Sequence, residues 1–344
     1  MRVFTDGGVV GIGECSPMQA EIVAHFVTTA FKPRVLDENP LEIEKIWNSL
    51  FYGTYKLGPQ GVQTEALAGI DIALWDILGK VTGLPLNTLL GGSYRDKIKM
   101  YKSIGGGSTM STAEMLGKVE NALEEGFEAI KIRMDWGANQ KDINPEKDLR
   151  MFQETKKLVG EEVPLSFDAN NGYSVKTAIS QGREFQKVGI YHFEEPVPQY
   201  DYRGLARVTQ ELEAPISAGE HEYTRWQFRD LITEGGVDII QPDVVKCGGI
   251  TETRKIASLG STFDRLFVPH QTQPTVGTIA NLHICSSLQS CRRPQEYTGP
   301  HERLENLFEE KFIFEDGYLH LPQKPGLGLT VDEEKLEELT VSSY

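Results

Sequence analysis

Three acidic residues lie at equal intervals in the middle of this chain, each at the end of a short apolar run. Asp168 ends the first run, and Glu194 and Glu220 follow at steps of 26 residues. A carboxylate at the end of a strand is costly to bury alone. Each one by itself would be typical of a helix N-cap after a strand. Their common period instead predicts neighbouring strands that direct three carboxylates at one point, where a divalent cation such as Mg²⁺ would neutralise them.

Length and composition limit the classes of function. The 344 residues can bury a large core, and the net charge of −15 without a basic stripe excludes nucleic acid as a partner. We find neither an apolar N-terminal signal core nor a run of membrane-spanning length, so we expect no membrane partner and a cytoplasmic protein. The four cysteines show no disulfide framework and no paired metal spacing, which indicates reduced thiols.

The order of apolar patterns predicts an α/β protein. Residues 1–14 have the pattern of a hairpin and residues 17–92 are mostly helical, with a buried helix over 65–78. From about residue 97, strand and helix patterns alternate, with helices such as 112–125 and 146–159. Eight such strands predict a closed parallel barrel of TIM type, whose catalytic residues lie at strand C-termini. The candidate strands are 98–103, 129–134, 164–168, 190–194, 215–219, 237–242, 265–269 and 294–297.

The next two predicted strands continue the register of the carboxylates. Asp243 ends one, and His270 ends the next, 27 residues later. Adjacent strand ends would let Asp243 hold one ring nitrogen of His270, which fixes the tautomer and raises the basicity of the other nitrogen. A lone histidine is more often a core residue with a backbone partner. The shared register favours a catalytic general base here.

One predicted strand on the other side of the barrel carries two cations. The alternating segment Ala129-Ile130-Lys131-Ile132-Arg133 directs Lys131 and Arg133 to the same face, which we predict to be the inside. Both could bind a substrate carboxylate and stabilise developing negative charge, or form an ion pair with a metal-site carboxylate. Arg133 is a poor base because its guanidinium stays protonated in water.

These residues together make the chain resemble the enolase superfamily, specifically its mandelate racemase subgroup. The resemblance covers nearly the whole chain. It rests on Lys131-Ile132-Arg133, Asp168-Ala169-Asn170, Glu194-Glu195-Pro196, Gly219-Glu220-His221, Gln241-Pro242-Asp243 with Gly248-Gly249, Pro269-His270, and the helix segment Ala68-Gly69-Ile70-Asp71-Ile72-Ala73-Leu74-Trp75-Asp76. It implies a (β/α)₇β barrel over 96–315 and an α+β capping domain formed by 1–95 and the returning tail 316–344. The usual first strand of that domain would precede residue 1.

The resemblance also implies the ligands and assembly. Residues matching Asp168, Glu194 and Glu220 would hold one Mg²⁺ per subunit, and the protein would be a homo-oligomer. Lysine replaces Asp243 in the muconate lactonising branch, so the His270–Asp243 pair indicates the mandelate racemase arrangement. The segment from Gly219 to Trp226 is most similar to rhamnonate dehydratases and related sugar-acid dehydratases.

Three further site residues follow from the same resemblance. His221 would point at the substrate, or would instead be a partner of Glu220 behind the metal. Asn170, in the Asp168-Ala169-Asn170 motif, is a candidate substrate-binding residue. Glu296 matches an acid that hydrogen-bonds the enolate oxygen and should be protonated when substrate binds. The alternative for Glu296 is a surface glutamate.

The resemblance implies a lyase acting on a small hydroxy acid. His270 would remove the α-proton of an aldonate or aldarate and return it to the departing 3-hydroxyl, giving a 2-keto-3-deoxy acid. Arg133 stands where related enzymes often carry a second basic lysine, which disfavours racemisation by two bases. A racemase or epimerase, a sugar-lactone cycloisomerase, and a non-catalytic protein that keeps only the scaffold are the alternatives.

Overall fold

The structure is a computed structural model that describes residues 1–271 and 274–343, without the side chains of residues 302 and 303. The chain first forms the predicted hairpin, with β1 (Arg2–Phe4) antiparallel to β2 (Val10–Ile12). Helices follow as α1 (Ala20–Phe26), α2 (Lys32–Val35), α3 (Ile43–Thr54), α4 (Val62–Thr82) and α5 (Leu86–Leu89). The segments 27–31 and 55–57 are a π-helical and a 3₁₀ turn.

Helix α4 is the centre of this N-terminal layer, as its apolar pattern predicts. Most of its residues are buried, because β2 and α3 cover it on one side and barrel helix residues cover it on another. The chain after β2 lies directly on its backbone. A Cβ at Gly13 would overlap the carbonyl oxygen of Gly69, so this close approach requires glycine.

The barrel strands are all parallel. They run in the order β3 to β9 in sequence, and β10 pairs with β3. Their bounds are β3 (Lys97–Ile104), β4 (Ile130–Arg133), β5 (Leu165–Asp168), β6 (Phe193–Glu194), β7 (Ile216–Ala218), β8 (Ile239–Ile240), β9 (Leu266–Phe267) and β10 (Gln295–Tyr297). Every predicted strand is present. Most are shorter than predicted, but β4, β5 and β6 still end at the polar residues Arg133, Asp168 and Glu194.

Helices connect the barrel strands, as expected for βα units. They are α6 (Thr112–Glu124), α7 (Pro145–Val159), α8 (Val175–Val188), α9 (Tyr202–Glu211), α10 (Arg225–Asp230) continued by a π-helical turn at 231–235, α11 (Gly249–Thr262) and α12 (Val276–Ser287). Packed aromatic rings fix two of the metal-site strands. Phe185 of α8 lies 4.5 Å from Phe167 of β5 and 5.4 Å from Phe193 of β6, measured between ring centroids.

The C-terminal tail contacts both parts of the molecule. It contains α13 (Glu302–Glu305), β11 (Phe314–Glu315), β12 (Tyr318–His320) and α14 (Glu333–Leu339). β12 pairs antiparallel with β3, and the Gly326 carbonyl accepts a hydrogen bond of 2.8 Å from the Leu86 N–H. Arg2 forms an ion pair of 2.8 Å with Glu333. The tail thus joins barrel and capping residues.

None of the described helices combines the length and the apolar composition that crossing a membrane requires.

Candidate active site

The three evenly spaced carboxylates meet at one end of the barrel. Asp168 and Glu194 are the last residues of β5 and β6, where they occupy paired positions, and Glu220 follows the end of β7. One oxygen from each lies within 4.8 Å of the others. Asp168 and Glu194 are almost fully buried. Three carboxylate oxygens at this separation are the ligands that Mg²⁺ prefers, so the residues fit a hard cation.

The backbone after β5 fixes the position of Asp168. Asn170 adopts a left-handed conformation with φ of 47°. Its N–H donates to Asp168 Oδ1 at 2.7 Å, and its Nδ2 donates to Oδ2 at 3.0 Å. Its own Oδ1 accepts from the Asp135 N–H at 2.6 Å. Both ends of the Asn170 amide are therefore engaged within the protein, so Asn170 positions Asp168, and its contact with substrate stays a prediction.

Glu194 is held by three side chains. Lys131 Nζ lies 2.8 Å from Oε1, Gln241 Nε2 donates to Oε2 at 2.7 Å, and His192 Nε2 lies 3.5 Å from Oε2. Burial raises the pKa of Glu194, but the charge of Lys131 together with the hydrogen bond and charge of His192 outweighs burial and lowers the pKa to about 2. The sequence analysis predicted no role for Gln241 itself, although it belongs to the Gln241-Pro242-Asp243 motif. Its position directly after β8 is the sequence feature that could have indicated a place in the site.

The pKa of Asp168 shifts in the opposite direction from that of Glu194. Burial, together with the charge of Glu194, raises the pKa of Asp168 well above its usual value, and Lys131 at 3.9 Å does not offset this. The cluster therefore holds more negative charge than its neighbours balance. A divalent cation on these three carboxylates would remove that imbalance.

Lys131 lies inside the barrel, as the strand alternation predicts, and is fully buried. Its Nζ is 2.9 Å from Glu296 Oε1 as well as 2.8 Å from Glu194. Burial lowers the pKa of Lys131, but these two carboxylates outweigh burial and raise the pKa well above its usual value. The ion-pair alternative is thus present in the structure, and it does not exclude a contact with substrate. Arg133 lies further out, with Nε 3.8 Å from Asp135 Oδ1 and 30% of its side chain exposed.

His270 and Asp243 form the predicted pair. His270 Nδ1 lies 2.7 Å from Asp243 Oδ2, and the His270 N–H donates to the Pro242 carbonyl at 3.1 Å. The other ring nitrogen, Nε2, faces the carboxylate cluster, 3.2 Å from Glu220 Oε2. Burial lowers the pKa of His270, but Glu220 and Asp243 outweigh it and raise the pKa to about 9. Neutralising the charge of Glu220 would remove one of the effects that keep the imidazole protonated.

Glu296 lies in β10 beside Lys131 and is only 2% exposed, which excludes the surface alternative. Its Oε2 accepts a hydrogen bond of 3.0 Å from the Gln271 N–H and lies 4.0 Å from His270 Nε2. Burial raises the pKa of Glu296, but Lys131 and His270 outweigh it and lower the pKa. The lowered pKa favours the ionised form of Glu296, and its protonation on substrate binding stays a prediction.

His221 lies at the rim of the site. Its Nε2 is 3.5 Å from both Glu220 Oε1 and Glu195 Oε1, and 35% of its side chain is exposed. These contacts match the alternative in which His221 is a partner of Glu220. Glu195 is a buried neighbour for which the sequence analysis predicted no role; its Oε2 accepts a hydrogen bond of 2.8 Å from Asn171 Nδ2. The two adjacent acidic residues, Glu194-Glu195, are the sequence feature that could have indicated Glu195.

Both parts of the chain match models of one protein family. Residues 1–91 match the mandelate racemase/muconate lactonizing enzyme N-terminal domain, and residues 114–335 match the enolase C-terminal domain-like model. The arabinonate dehydratase of Saccharolobus solfataricus is 34% identical over 99% of this chain and 90% of that protein. The D-galactarolactone cycloisomerase of Agrobacterium fabrum is 32% identical over 98% of this chain and 90% of that protein.

Solved structures agree with this assignment. A mandelate racemase/muconate lactonizing protein from Paracoccus denitrificans has a TM-score of 0.95 at 38% identity, covering 99% of this chain and 94% of that chain. A second structure of that protein is a complex with magnesium, at a TM-score of 0.95 and 38% identity over 98% of this chain and 92% of that chain.

The barrel and its site define a member of the enolase superfamily, whose members bind Mg²⁺. The chain belongs to the mandelate racemase subgroup of that superfamily.

Proposed function

We propose that this chain is a Mg²⁺-dependent dehydratase of an aldonic or aldaric acid, which gives a 2-keto-3-deoxy acid and water. The His270–Asp243 pair carries the proposal, because it directs Nε2 of His270 at the carboxylate cluster that Lys131 also contacts. Several relatives support the substrate class. Among them are the arabinonate dehydratase and a D-xylonate dehydratase from Haloferax volcanii, 30% identical over 98% of this chain.

The cation would be held by Asp168, Glu194 and Glu220, one per chain. When bound, Mg²⁺ supplies Lewis-acid stabilisation of charge that develops on the substrate carboxylate. Lys131 is already directed at this point by Glu194 and Glu296, so its ammonium can stabilise the same charge without reorganisation. Arg133, at the outer end of the same strand, is positioned to bind the substrate carboxylate.

His270 performs the proton transfers. In its neutral form, Nε2 takes the proton from the carbon next to the carboxylate, while Asp243 stabilises the resulting imidazolium through Nδ1–H. The same proton then passes to the 3-hydroxyl, which leaves as water as the C–O bond breaks. The enol that remains ketonises to the 2-keto-3-deoxy acid. A single base, acting on one face of the substrate, is sufficient for these two proton transfers.

A keto-acid assay with a panel of aldonic and aldaric acids tests the proposal directly. We expect turnover of at least one acid with Mg²⁺ and none after chelation. Running the reaction in deuterated water separates the alternatives. Recovered substrate with deuterium at C2, inverted configuration and no keto product would indicate an epimerase instead.

A sugar-lactone cycloisomerase is the second candidate, because the Agrobacterium fabrum relative is a D-galactarolactone cycloisomerase. It would use the same proton abstraction but would open or close a ring without loss of water. Product analysis of aldarolactones by NMR distinguishes the two reactions. We also propose a homo-oligomer, which a mass measurement in solution would check.

A further inference from the structure

The short segment that follows β2 in the N-terminal layer contacts the part of the barrel that carries the His270–Asp243 pair. The Ser16 N–H donates a hydrogen bond of 3.2 Å to the Val245 carbonyl, in the loop after β8. The Val245 N–H in turn donates to Asp243 Oδ1 at 2.9 Å. This segment is therefore joined to the backbone that holds Asp243.

Glu14 joins the same segment to helix α12, the helix that follows His270 in the sequence. Thr275 Oγ1 lies 2.6 Å from both carboxylate oxygens of Glu14, and the Gly277 N–H donates to Oε2 at 2.6 Å. A carboxylate is favourable here, because the first N–H groups of a helix have no partner within the helix and the helix dipole is positive at this end. Glu14 thus holds the start of α12 from the N-terminal layer.

Helix α12 in turn holds the backbone of the proposed base. Asn281 is four residues beyond Gly277, which is about one helical turn. Its side chain is almost fully buried, and its Nδ2 donates to the His270 carbonyl at 3.2 Å. The connection from Glu14 to His270 therefore runs through a single turn of a regular helix.

These contacts meet in one small region. Glu14, Asp243 and Asn281 line a common void of about 10 Å³. A Cβ at Gly277 would lie 2.8 Å from Val245 Cγ1 and 3.3 Å from Glu14 Oε2, so the first turn of α12 packs closely against both residues. Glu14 therefore lies beside Asp243 while it holds the helix that contacts His270.

We propose that Glu14 is a positioning residue for the His270–Asp243 pair. By holding α12 against the loop that carries Asp243, it keeps His270 Nδ1 at 2.7 Å from Asp243 Oδ2. The N-terminal layer thereby sets the geometry of the base. This inference rests on the proposed function, in which the pair performs the proton transfers.

Steady-state kinetics of full-length Glu14→Ala test this role. We expect kcat to fall by about 10²-fold, because a small displacement of a catalytic group has effects of this size. KM and Mg²⁺ affinity should stay nearly unchanged, since Glu14 acts on the base and on neither substrate nor cation. Glu14→Gln keeps one of the two acceptor oxygens and should have an intermediate kcat. A wild-type kcat in Glu14→Ala, or an equal loss of Mg²⁺ affinity, would overturn the proposal.

Thr275→Val tests the same contact from the barrel side and keeps Glu14 in place, so it serves even where Glu14→Ala does not fold. Its kcat should fall less than that of Glu14→Ala, because the Gly277 N–H still donates to Glu14. The double variant should be no slower than Glu14→Ala alone. A wild-type kcat in Thr275→Val, or losses that multiply in the double variant, would contradict the proposed connection.

Glu310 provides a chemically matched control in the C-terminal tail. Its carboxylate accepts hydrogen bonds from the Thr330 N–H at 2.6 Å and from Thr330 Oγ1 at 3.0 Å. Glu310→Ala therefore removes the same kind of contact at a different place in the chain, and it should keep the wild-type kcat. Equal losses of kcat in Glu14→Ala and Glu310→Ala would indicate general loosening of the fold and would overturn the proposal.

The Nδ1–H proton of His270 gives a readout that needs no substrate. Its hydrogen bond to Asp243 should produce a downfield proton resonance, assigned by its absence from His270→Asn. We expect faster exchange with solvent to weaken this resonance in Glu14→Ala but not in Glu310→Ala, and an unchanged resonance in Glu14→Ala would count against the role. If the wild type turns over no sugar acid while the resonance still depends on Glu14, the dehydratase is rejected and the positioning role remains.

Discussion

Lys131 shows how one residue serves both the fold and the chemistry. It is fully buried between Glu194 at 2.8 Å and Glu296 at 2.9 Å. Such a pair adds little stability compared with apolar packing, but removing one partner leaves uncompensated charge in the interior. Stability alone therefore does not account for this buried cation, which supports its proposed role at the site.

Replacing Lys131 with methionine should destabilise the protein by about 3–5 kcal/mol when metal is absent, because two buried carboxylates lose their cation. Mg²⁺ should recover part of this loss, since it neutralises Glu194. Urea denaturation with chelator and with Mg²⁺ measures both values. Equal stability of wild type and Lys131→Met in chelator would contradict the role of the ion pair.

Asp243 acts through His270, so its loss should alter both the rate and the pH profile. Asp243 is one of the groups that raise the pKa of His270, against the effect of burial. Asp243→Asn should therefore lower kcat by about 10²–10⁴-fold. Because His270 must be neutral to accept a proton, the acidic limb of the profile should also move to lower pH. An acidic limb that does not move would show that Asp243 does not set the pKa of the base.

At the scale of elements, helix α12 is joined to two other segments by one buried histidine. His283 accepts a hydrogen bond of 3.2 Å from the Asn87 N–H at Nδ1, so its Nε2 donates to the Leu327 carbonyl at 3.1 Å. It connects α12 with α5 and the C-terminal tail. This arrangement uses the neutral imidazole.

Burial lowers the pKa of His283 to about 4, against a partly opposing hydrogen bond to Leu327. The unfolded chain then binds a proton that the folded chain does not, so stability is complete above about pH 6.5 and falls as the pH decreases towards 4. The loss should approach about 3 kcal/mol, at 1.36 kcal/mol per pKa unit. The free energy of unfolding of wild type and His283→Gln, measured by denaturation across this pH range, isolates the contribution of His283. Parallel curves for the two proteins would contradict it.

Most of the barrel strands and helices could be predicted from the sequence. Apolar runs at one period predicted all the barrel strands. Asp168 and Glu194 end β5 and β6 as expected, while Asp243 and His270 lie just beyond the ends of β8 and β9. Alternation could not predict Glu195, because its φ of 42° breaks the extended pattern and turns the side chain towards His221. The contacts of Asn170 and His283 depend on distant backbone atoms, which no local pattern reveals.

At the scale of the whole molecule, carboxylates of helix α4 connect the N-terminal layer to the barrel through hydrogen bonds. Asp71 accepts a hydrogen bond of 2.9 Å from the Thr251 N–H in the first turn of α11. Asp76 accepts hydrogen bonds from the Ile12 and Leu327 N–H groups, both at 2.9 Å. The sequence predicted α4 as a buried helix, but not that its carboxylates join separate segments.

Cation binding should stabilise the whole chain, because the three carboxylates come together only in the folded state. Mg²⁺ at 100 times its Kd should add about 2.7 kcal/mol to the free energy of unfolding, and chelator should remove this gain. Thermal unfolding of the wild type and Asp168→Asn measures the difference. A wild-type Tm that does not respond to Mg²⁺ would contradict the assignment of these ligands.

In the proposed mechanism, His270 moves the proton at a Mg²⁺ site that it does not help to form. The most direct measurement compares wild type and His270→Asn for keto-acid formation and for Mg²⁺ affinity by calorimetry. We predict that product formation falls by about 10⁴-fold, since both proton transfers are lost, while Mg²⁺ affinity stays nearly unchanged. Turnover that survives the substitution would contradict the single-base mechanism.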